Sequence, residues 1–266
     1  MSTLLPRIAP PVLLGGRANR LIERNLMASR RQWMLILTGF FEPVFYLFSV
    51  GIGISKLVGS VPFGGHSVGY TTFVAPGLMA ASAMNGAVYD STFNVFFKLK
   101  FAKTYDAILS TPLTVGDVAL GEVGWALGRG ALYASAFLVT MAAMGLVSSP
   151  WAVLALPAAT LIGFAFAAAG ISASSYMRSW QDFDFVQLAV LPMFLFSATF
   201  YPLTTYPAAV RWLVRITPLY HGVSLMRGLT TGLVHWSMLV DVGYLLLLGL
   251  AGVAIASRRL ERMLLT

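Results

Sequence analysis

The chain has 266 residues, of which 58% are hydrophobic and only 11% are charged, and its mean hydropathy is +0.77. A soluble domain carries roughly a quarter charged residues, so this composition excludes a soluble globular protein and indicates a membrane protein. The absence of cysteine excludes disulfides, thiolate metal sites and cysteine nucleophiles. The formal net charge of +8 would permit nucleic-acid binding, but the basic residues cluster in the connections between apolar segments instead.

The first predicted element is a basic amphipathic helix within Arg17–Arg31. Its apolar and basic residues recur at helical spacing on separate faces: Leu21, Ile22 and Leu26 on one, Arg17, Arg20 and Arg24 on the other. Such a helix is expected to lie in the headgroup layer, where its arginines approach anionic lipid. A disordered basic tail is the alternative for the same residues.

Six apolar segments are long enough to cross a bilayer as helices, which takes about 20 residues each. The predicted spans lie near Trp33–Ser55, Tyr70–Phe97, Val118–Leu146, Ala152–Tyr176, Phe183–Tyr201 and Met238–Ser257. No internal repeat, low-complexity tract or second domain interrupts them. The sequence therefore predicts an all-α polytopic membrane protein with six transmembrane helices in a single domain covering residues 1–266.

The orientation of these spans follows from lysine and arginine, which prefer cytoplasmic connections. One side of the predicted topology collects Arg7, Arg17, Arg20, Arg24, Arg30, Arg31, Lys98, Lys100, Lys103, Arg178, Arg258, Arg259 and Arg262. The other side has only Lys56, Arg211, Arg215 and Arg227. We therefore expect both termini in the cytoplasm. The excess of basic residues is explained by membrane topology, and no nucleic-acid partner is expected.

A short helix is predicted in the connection between the second and third spans. Tyr105, Ile108 and Leu109 fall at i, i+3 and i+4 and form one apolar face. Asp106 lies on the opposite side. The helix is expected to end at Thr111–Pro112, because the residue before a proline disfavours helical geometry.

The apolar face of this short helix has two interpretations. If the helix points away from the membrane, Tyr105 and its neighbours have no lipid to enter, and a groove on a soluble partner would accept them. Alternatively, the helix lies on its own bundle. Thr114, followed three residues later by Asp117, resembles a capping box and predicts the start of the third span.

Charged residues at membrane depth are costly and therefore need a partner or a task. Glu42 lies near the middle of the first span and Arg129 near the middle of the third, and we hypothesise that they pair as a structural clamp. Asp90 and Glu122 are expected nearer the cytoplasmic surface, where Glu122 helps to seat the short helix.

The segment Tyr201–Leu229, before the last span, is predicted to enter the outer leaflet partway and return. Its prolines do not fit one continuous helix. Pro207 is expected to begin a short helix that Thr217–Pro218 ends. The residues that define this re-entrant segment are Pro202, Pro207, Arg211, Arg215, Pro218 and His221. For His221, a pH-sensitive gate and an ordinary hydrogen-bonded histidine are both open.

No lysine of the chain follows a glycine, so the phosphate-binding loop of an ATPase is absent. A transporter without this loop must take its energy from a partner subunit or from an ion gradient. A proton-coupled secondary transporter using Glu42, Asp90 and Arg129 is one alternative. An intramembrane enzyme is another, but the sequence offers no nucleophile–base constellation or metal cluster for it.

Four stretches, taken in order, resemble ABC-2-type permeases, in particular those that export lipo-oligosaccharide nodulation factors and their daunorubicin-exporter relatives. They are EPVFYLFSVGIGI (Glu42–Ile54), FVAPGLMAASAM (Phe73–Met84), TYDAILSTPLTVGDVALGEVGWA (from Thr104) and YPLTTYPAAVRWLVRITPLYHGVSLMRGL (Tyr201–Leu229). The resemblance covers nearly the whole chain.

The resemblance implies an exporter subunit for a lipid-linked saccharide or a hydrophobic drug-like compound. It implies a coupling helix that inserts into a cleft of a separate ATPase, formed by Tyr105, Asp106, Ile108, Leu109, Thr111 and Pro112. Two ATPase copies and a second permease half, identical or paralogous, would complete the complex. ATP and Mg would be held by the ATPase, and no metal or cofactor by this chain.

Overall fold

The computed structural model describes residues 18–29 and 45–264. Its longer helices, numbered in chain order, are α1 (Ala18–Ser29), α2 (Phe45–Val58), α3 (Tyr70–Tyr89), α4 (Val95–Lys100), α5 (Thr104–Leu109), α6 (Val115–Ala143), α7 (Ala155–Ser174), α8 (Phe183–Leu195), α9 (Ala208–Ile216), α10 (Pro218–Thr231) and α11 (Met238–Leu264). A π-helical stretch, Asp90–Asn94, joins α3 to α4. Short 3₁₀ turns at Pro150–Leu154, Trp180–Asp182 and Leu203–Thr205 precede α7, α8 and α9.

Three helices of the described chain are long and apolar enough to cross a membrane, namely Gly116–Ala143, Pro150–Ser174 and Met238–Arg262. They match the third, fourth and sixth predicted spans. The first predicted span is described only from Phe45 onward, as α2. The second corresponds to α3, which has 20 residues and continues through the π-helical stretch into α4.

The fifth predicted span, Phe183–Tyr201, is wrong in its extent. The helix α8 has only 13 residues and ends at Leu195. Pro192 lies inside it and supplies no backbone N–H for the last turn. Beyond the helix, Ala198 adopts a positive φ of 58°, which a continuing helix does not permit.

A two-stranded hairpin follows α2 and was not predicted. Strand β1 (Ser60–Phe63) pairs antiparallel with β2 (His66–Gly69), and Val61 lies opposite Val68. The turn places Gly64 and Gly65 at φ values of 60° and 82°, which two-residue hairpin turns require and glycine adopts without strain. The Gly-Gly pair was therefore the signal for this element, and the described fold is helical with one small hairpin.

The helix α7 forms the centre of the bundle and packs against α3, α6 and α11. Its alanines and glycines allow close approach, as small residues do between membrane helices. A Cβ atom added at Gly252 of α11 would lie 2.7 Å from the backbone carbon of Ala168. The helix α1 packs on α6, with Leu21 only 2% exposed and Ile22 directly over Gly124. Part of the apolar face assigned to lipid is therefore covered by protein.

Candidate functional site

The helix α5 lies in the connection between α4 and α6, as the sequence predicts. After Leu109 the chain turns, with the Thr111 backbone N–H donating to Ile108 O at 3.0 Å. The predicted capping box is present. The Asp117 backbone N–H donates to Thr114 Oγ1 at 3.2 Å, and the Thr114 backbone N–H donates to Asp117 Oδ2 at 2.9 Å.

One face of α5 is buried against the protein itself. Tyr105 is 1% exposed and Ile108 8% exposed. They belong to a buried apolar cluster whose other members come from five helices: Leu21 of α1, Val95 of α4, Val118 and Val123 of α6, Ile171 of α7 and Leu260 of α11. The expectation that these two side chains are free to enter a groove on a partner is therefore wrong, because the ends of these helices supply their own groove. The interpretation in which the helix lies on its own bundle is the observed one.

The opposite face of α5 and the turn after it are exposed. Lys103, Ala107, Ser110, Thr111 and Pro112 all reach solvent. The predicted coupling residues thus divide: Thr111 and Pro112 lie on the surface, whereas Tyr105 and Ile108 anchor the helix. The side chains of Asp106 and Leu109 lie outside the described part of the chain. We call the exposed residues Lys103, Ala107, Ser110, Thr111 and Pro112 the outer face of α5.

A buried polar group connects α5 to its neighbours. Glu122 of α6 accepts from Lys98 Nζ at 2.8 Å and from Asn25 Nδ2 of α1 at 3.4 Å. The buried hydroxyl of Tyr105 lies beside the same carboxylate. Burial, and then the charge of Glu122, raises the pKa of Tyr105 well above its usual range, so this hydroxyl stays protonated at physiological pH. The expectation that Glu122 helps to seat this helix stays a prediction.

Two turns farther along the same pair of helices, Arg129 meets Asp90. Arg129 Nη1 lies 3.1 Å from Asp90 Oδ1, and Asp90 is 7% exposed. The hypothesised partner of Arg129, Glu42, lies outside the described residues, so that pair stays a prediction. The contact with Asp90 was not predicted. Asp90 precedes Lys98 by eight residues and Arg129 follows Glu122 by seven, so two antiparallel helices that pair Lys98 with Glu122 also bring Asp90 close to Arg129.

The helix boundaries predicted for the re-entrant segment agree closely with the structure. The helix α9 begins at Ala208, one residue after Pro207, and ends at Ile216 before Thr217–Pro218. Arg211 folds back on the preceding turn, where its Nε donates to Tyr206 O at 2.7 Å and its Nη2 to Thr204 O at 2.9 Å. Arg215 is exposed. Trp212 and Ile216 are 61% and 51% exposed, so α9 presents apolar side chains outward.

His221 of α10 has a carboxylate partner that the sequence analysis missed. Its Nδ1 lies 2.6 Å from Asp241 Oδ1 of α11, and its ring stacks on Tyr244 with centroids 4.1 Å apart. The interpretation as a hydrogen-bonded histidine agrees with this geometry. Asp241 could have been found as an acid in the first turn of an otherwise apolar span.

Arg227 was assigned to an outer connection but is buried, with 5% of its surface exposed. Its Nε donates to Phe73 O at 3.0 Å, and its Nη2 donates to Ala198 O at 2.9 Å and Thr199 O at 3.3 Å. The guanidinium also lies 3.8 Å from the centroid of the Phe73 ring. Within residues 18–29 and 45–264, no three histidine or carboxylate side chains lie close enough together to hold a metal ion.

The chain matches known proteins along most of its length. The model of the family described as ABC-2 type transporter matches residues 18–230. Nodulation protein J of Rhizobium meliloti (strain 1021) is 32% identical over 223 residues, which are 83% of this chain and 82% of that protein. Nodulation protein J of Rhizobium leguminosarum bv. trifolii is 34% identical over 224 residues, 83% of this chain and 84% of that protein. Inner membrane transport permease YadH of Escherichia coli (strain K12) is 27% identical over 201 residues, 74% of this chain and 76% of that protein.

The family match begins at α1 and runs through nearly all of α10, so it includes α5 with its anchor and its outer face. The membrane subunits of this family are transport components and not enzymes themselves. The chain belongs to the ABC-2 type transporter family.

Proposed function

We propose that the chain is the membrane subunit of an exporter that moves a lipid-linked saccharide or a hydrophobic compound outward. A separate ATP-binding cassette ATPase holds ATP and Mg and drives the transport, because this chain has no phosphate-binding loop. Two ATPase copies bind two permease halves, and this chain needs no cofactor of its own. In this proposal the chain crosses a bacterial inner membrane six times, with both termini and α5 on the cytoplasmic side.

The observation that carries this proposal is the division of α5 into an anchored face and an outer face. A helix that transmits force between two proteins must be fixed to one and gripped by the other. Tyr105 and Ile108 fix α5 in a buried cluster shared with α1, α4, α6, α7 and α11. The outer face leaves Ala107 and Ser110 available to a cleft of the ATPase. The partner therefore contacts small exposed residues and not the apolar face that the sequence singled out.

The orientation is supported by the charges around α5. Lys98 and Lys100 lie in the last turn of α4, Lys103 directly precedes α5, and Arg178 lies in the connection between α7 and α8. Basic connections of this kind prefer the cytoplasm. The opposite end of the bundle carries the β1–β2 hairpin and α9.

The cargo class rests on the relatives. Two of them are named Nodulation protein J, and the subfamily that this sequence resembles exports lipo-oligosaccharides. Membership of the ABC-2 family favours ATP as the energy source over the proton-coupled alternative.

The test is co-purification of this chain with a co-expressed ATP-binding cassette ATPase from the same organism. Ala107→Arg adds a long charged side chain on the outer face of α5 without touching the buried face. We expect it to weaken binding of the ATPase at least about tenfold, because a charge forced into a fitted cleft is desolvated without a partner. ATP hydrolysis by the solubilised complex should fall in parallel.

Ala143→Arg is the matched control. It makes the same substitution at an exposed alanine, at the far end of α6. This variant should retain the ATPase as the wild-type chain does. Retention of the ATPase by Ala107→Arg would overturn the coupling role of the outer face.

A further inference from the structure

The helix α9 has two apolar sides, of which the protein covers only one. Val210 and Val214 form the inner side and pack in a small apolar cluster beside the end of α8, separate from the main core. On the outer side, three apolar side chains are each more than half exposed, namely Trp212, Leu213 and Ile216. We call these three residues the outer patch of α9. A contiguous exposed apolar patch on a helix of nine residues indicates a binding surface.

A basic edge runs beside the outer patch. Because an α-helix has 3.6 residues per turn, Arg211 and Arg215 lie one turn apart, between the outer patch and the inner side. Arg211 donates to the carbonyls of Thr204 and Tyr206, which fixes its guanidinium at one end of this edge. Arg215 is exposed. Positive charges at the boundary of an apolar face are typical of helices that lie in a membrane interface.

The basic edge lacks an acidic partner on its own surface. Within residues 45–264, no carboxylate forms a salt bridge with Arg211 or Arg215. The segment Tyr201–Thr231 contains neither aspartate nor glutamate, and Asp241 of α11 is bound to His221. A guanidinium matches the oxygens of a phosphate particularly well. The two charges are therefore suited to an anion that another molecule supplies.

A hydrogen bond places the end of α9 at the level of a membrane surface. Tyr244 Oη donates to Ile216 O at 2.7 Å. Tyr244 lies six residues, or about 9 Å, after Met238, where α11 begins. Since α11 is long and apolar enough to cross a membrane, Ile216 lies near the bilayer surface and not far out in water. The nine residues of α9 extend only about 14 Å, less than half of a hydrocarbon core, so α9 lies along this surface.

We propose that α9 binds an anionic phospholipid of the outer leaflet, with Arg215 at the headgroup phosphate and the outer patch against the glycerol and the upper acyl chains. Tryptophan prefers this level of a bilayer, as Trp212 would have it. A zwitterionic lipid brings its own cation close to the arginines, whereas an anionic lipid does not. The inference goes beyond the proposed function and relies on it only for the choice of leaflet.

The test measures which lipid lies next to α9. The full-length chain contains no cysteine, so Ala209→Cys carries a single NBD fluorophore. Ala209 is exposed and lies on the side of the outer patch. The labelled chain is placed in vesicles of phosphatidylcholine and phosphatidylglycerol, one of which has acyl chains with a nitroxide that quenches NBD at short range. Comparing the two lipids as quencher gives their relative binding at α9. The labelled chain should prefer phosphatidylglycerol about tenfold, because each nearby arginine contributes several-fold.

Arg215→Gln, in the labelled chain, removes the exposed charge and keeps a good helix former, so the protein should fold. Its preference for phosphatidylglycerol should fall to about twofold, whereas Arg215→Lys, which keeps the charge, should stay above about fivefold. Lys56→Gln is the matched control. It also removes one positive charge from an exposed position, at the end of α2 that leads into the hairpin, and should leave the tenfold preference unchanged.

Three results would overturn the proposal. The first is equal quenching by the two lipids, or an unchanged preference in Arg215→Gln. The second is the absence of quenching by either lipid, which would mean that another protein or a second copy of the chain covers the outer patch. The third is displacement of phosphatidylglycerol by free glycerol phosphate at equal concentration, which would indicate a site for a soluble phosphate. The measurement needs no ATPase, so its outcome is independent of the co-purification test.

Discussion

At the scale of single residues, Arg227 organises the region where α8 ends. Its guanidinium donates to a carbonyl of α3 and to two carbonyls of the segment after Leu195. Non-helical backbone within a membrane protein is tolerated where protein satisfies its polar groups. Arg227 donates hydrogen bonds to the carbonyls of Ala198 and Thr199. This explains why α8 can stop short of the predicted boundary. The sequence assigned Arg227 to an outer connection, because burial of its side chain depends on three elements that are distant in sequence.

Arg227→Lys tests this role. Lysine keeps the charge but lacks the planar fork that reaches both sets of carbonyls, so we expect the free energy of unfolding to fall by about 2 kcal/mol. Chemical unfolding of the solubilised chain measures it. Arg211→Lys is the control, since Arg211 also donates to two backbone carbonyls but is partly exposed, and water replaces what is lost. An equal fall in the free energy of unfolding in both variants would mean that burial of Arg227 does not increase its stabilising effect.

At the scale of elements, local signals predicted local structure well. The end of α5 before Pro112 and the capping box of Thr114 and Asp117 depend on neighbouring residues, and both are confirmed. The pairing of α5 with the bundle depends on α1 and α11, which are distant in sequence, so a pattern of three apolar residues could not decide which protein covers them. The charges at Asp90, Glu122 and Arg129 were recognisable as intramembrane or interfacial groups, but their partners follow from helix packing.

Ile108→Ala tests whether α5 is anchored to the bundle. Truncating a buried isoleucine removes apolar contact and leaves a cavity, so the free energy of unfolding should fall by about 3 kcal/mol. Ser110→Ala, at an exposed position just beyond the helix, should change it by less than about 0.5 kcal/mol. The same unfolding measurement covers both variants. If Ile108→Ala is as mild as Ser110→Ala, then the buried face does not hold α5 in place.

At the scale of the whole molecule, the proposed function requires that α5 and the β1–β2 hairpin lie on opposite sides of the membrane. Composition and the pattern of apolar segments predicted a helical membrane protein, and three of the six expected spans meet the length and hydropathy of a membrane helix in the described chain. The separation between the two sides rests on basic residues in short connections. Hydropathy alone predicts too much helix where a span includes non-helical backbone, as it does after α8.

The most direct measurement is labelling of single cysteines with a membrane-impermeant maleimide, and the chain suits it because it contains no cysteine. Ser110→Cys reports on the outer face of α5, and Ser67→Cys reports on the exposed strand β2. In intact cells stripped of their outer membrane, Ser67→Cys should react while Ser110→Cys should not. In inverted membrane vesicles Ser110→Cys should react, and added ATPase subunit should protect it. Reaction of Ser110→Cys from the outside would contradict the account, because an ATPase in the cytoplasm could not reach α5.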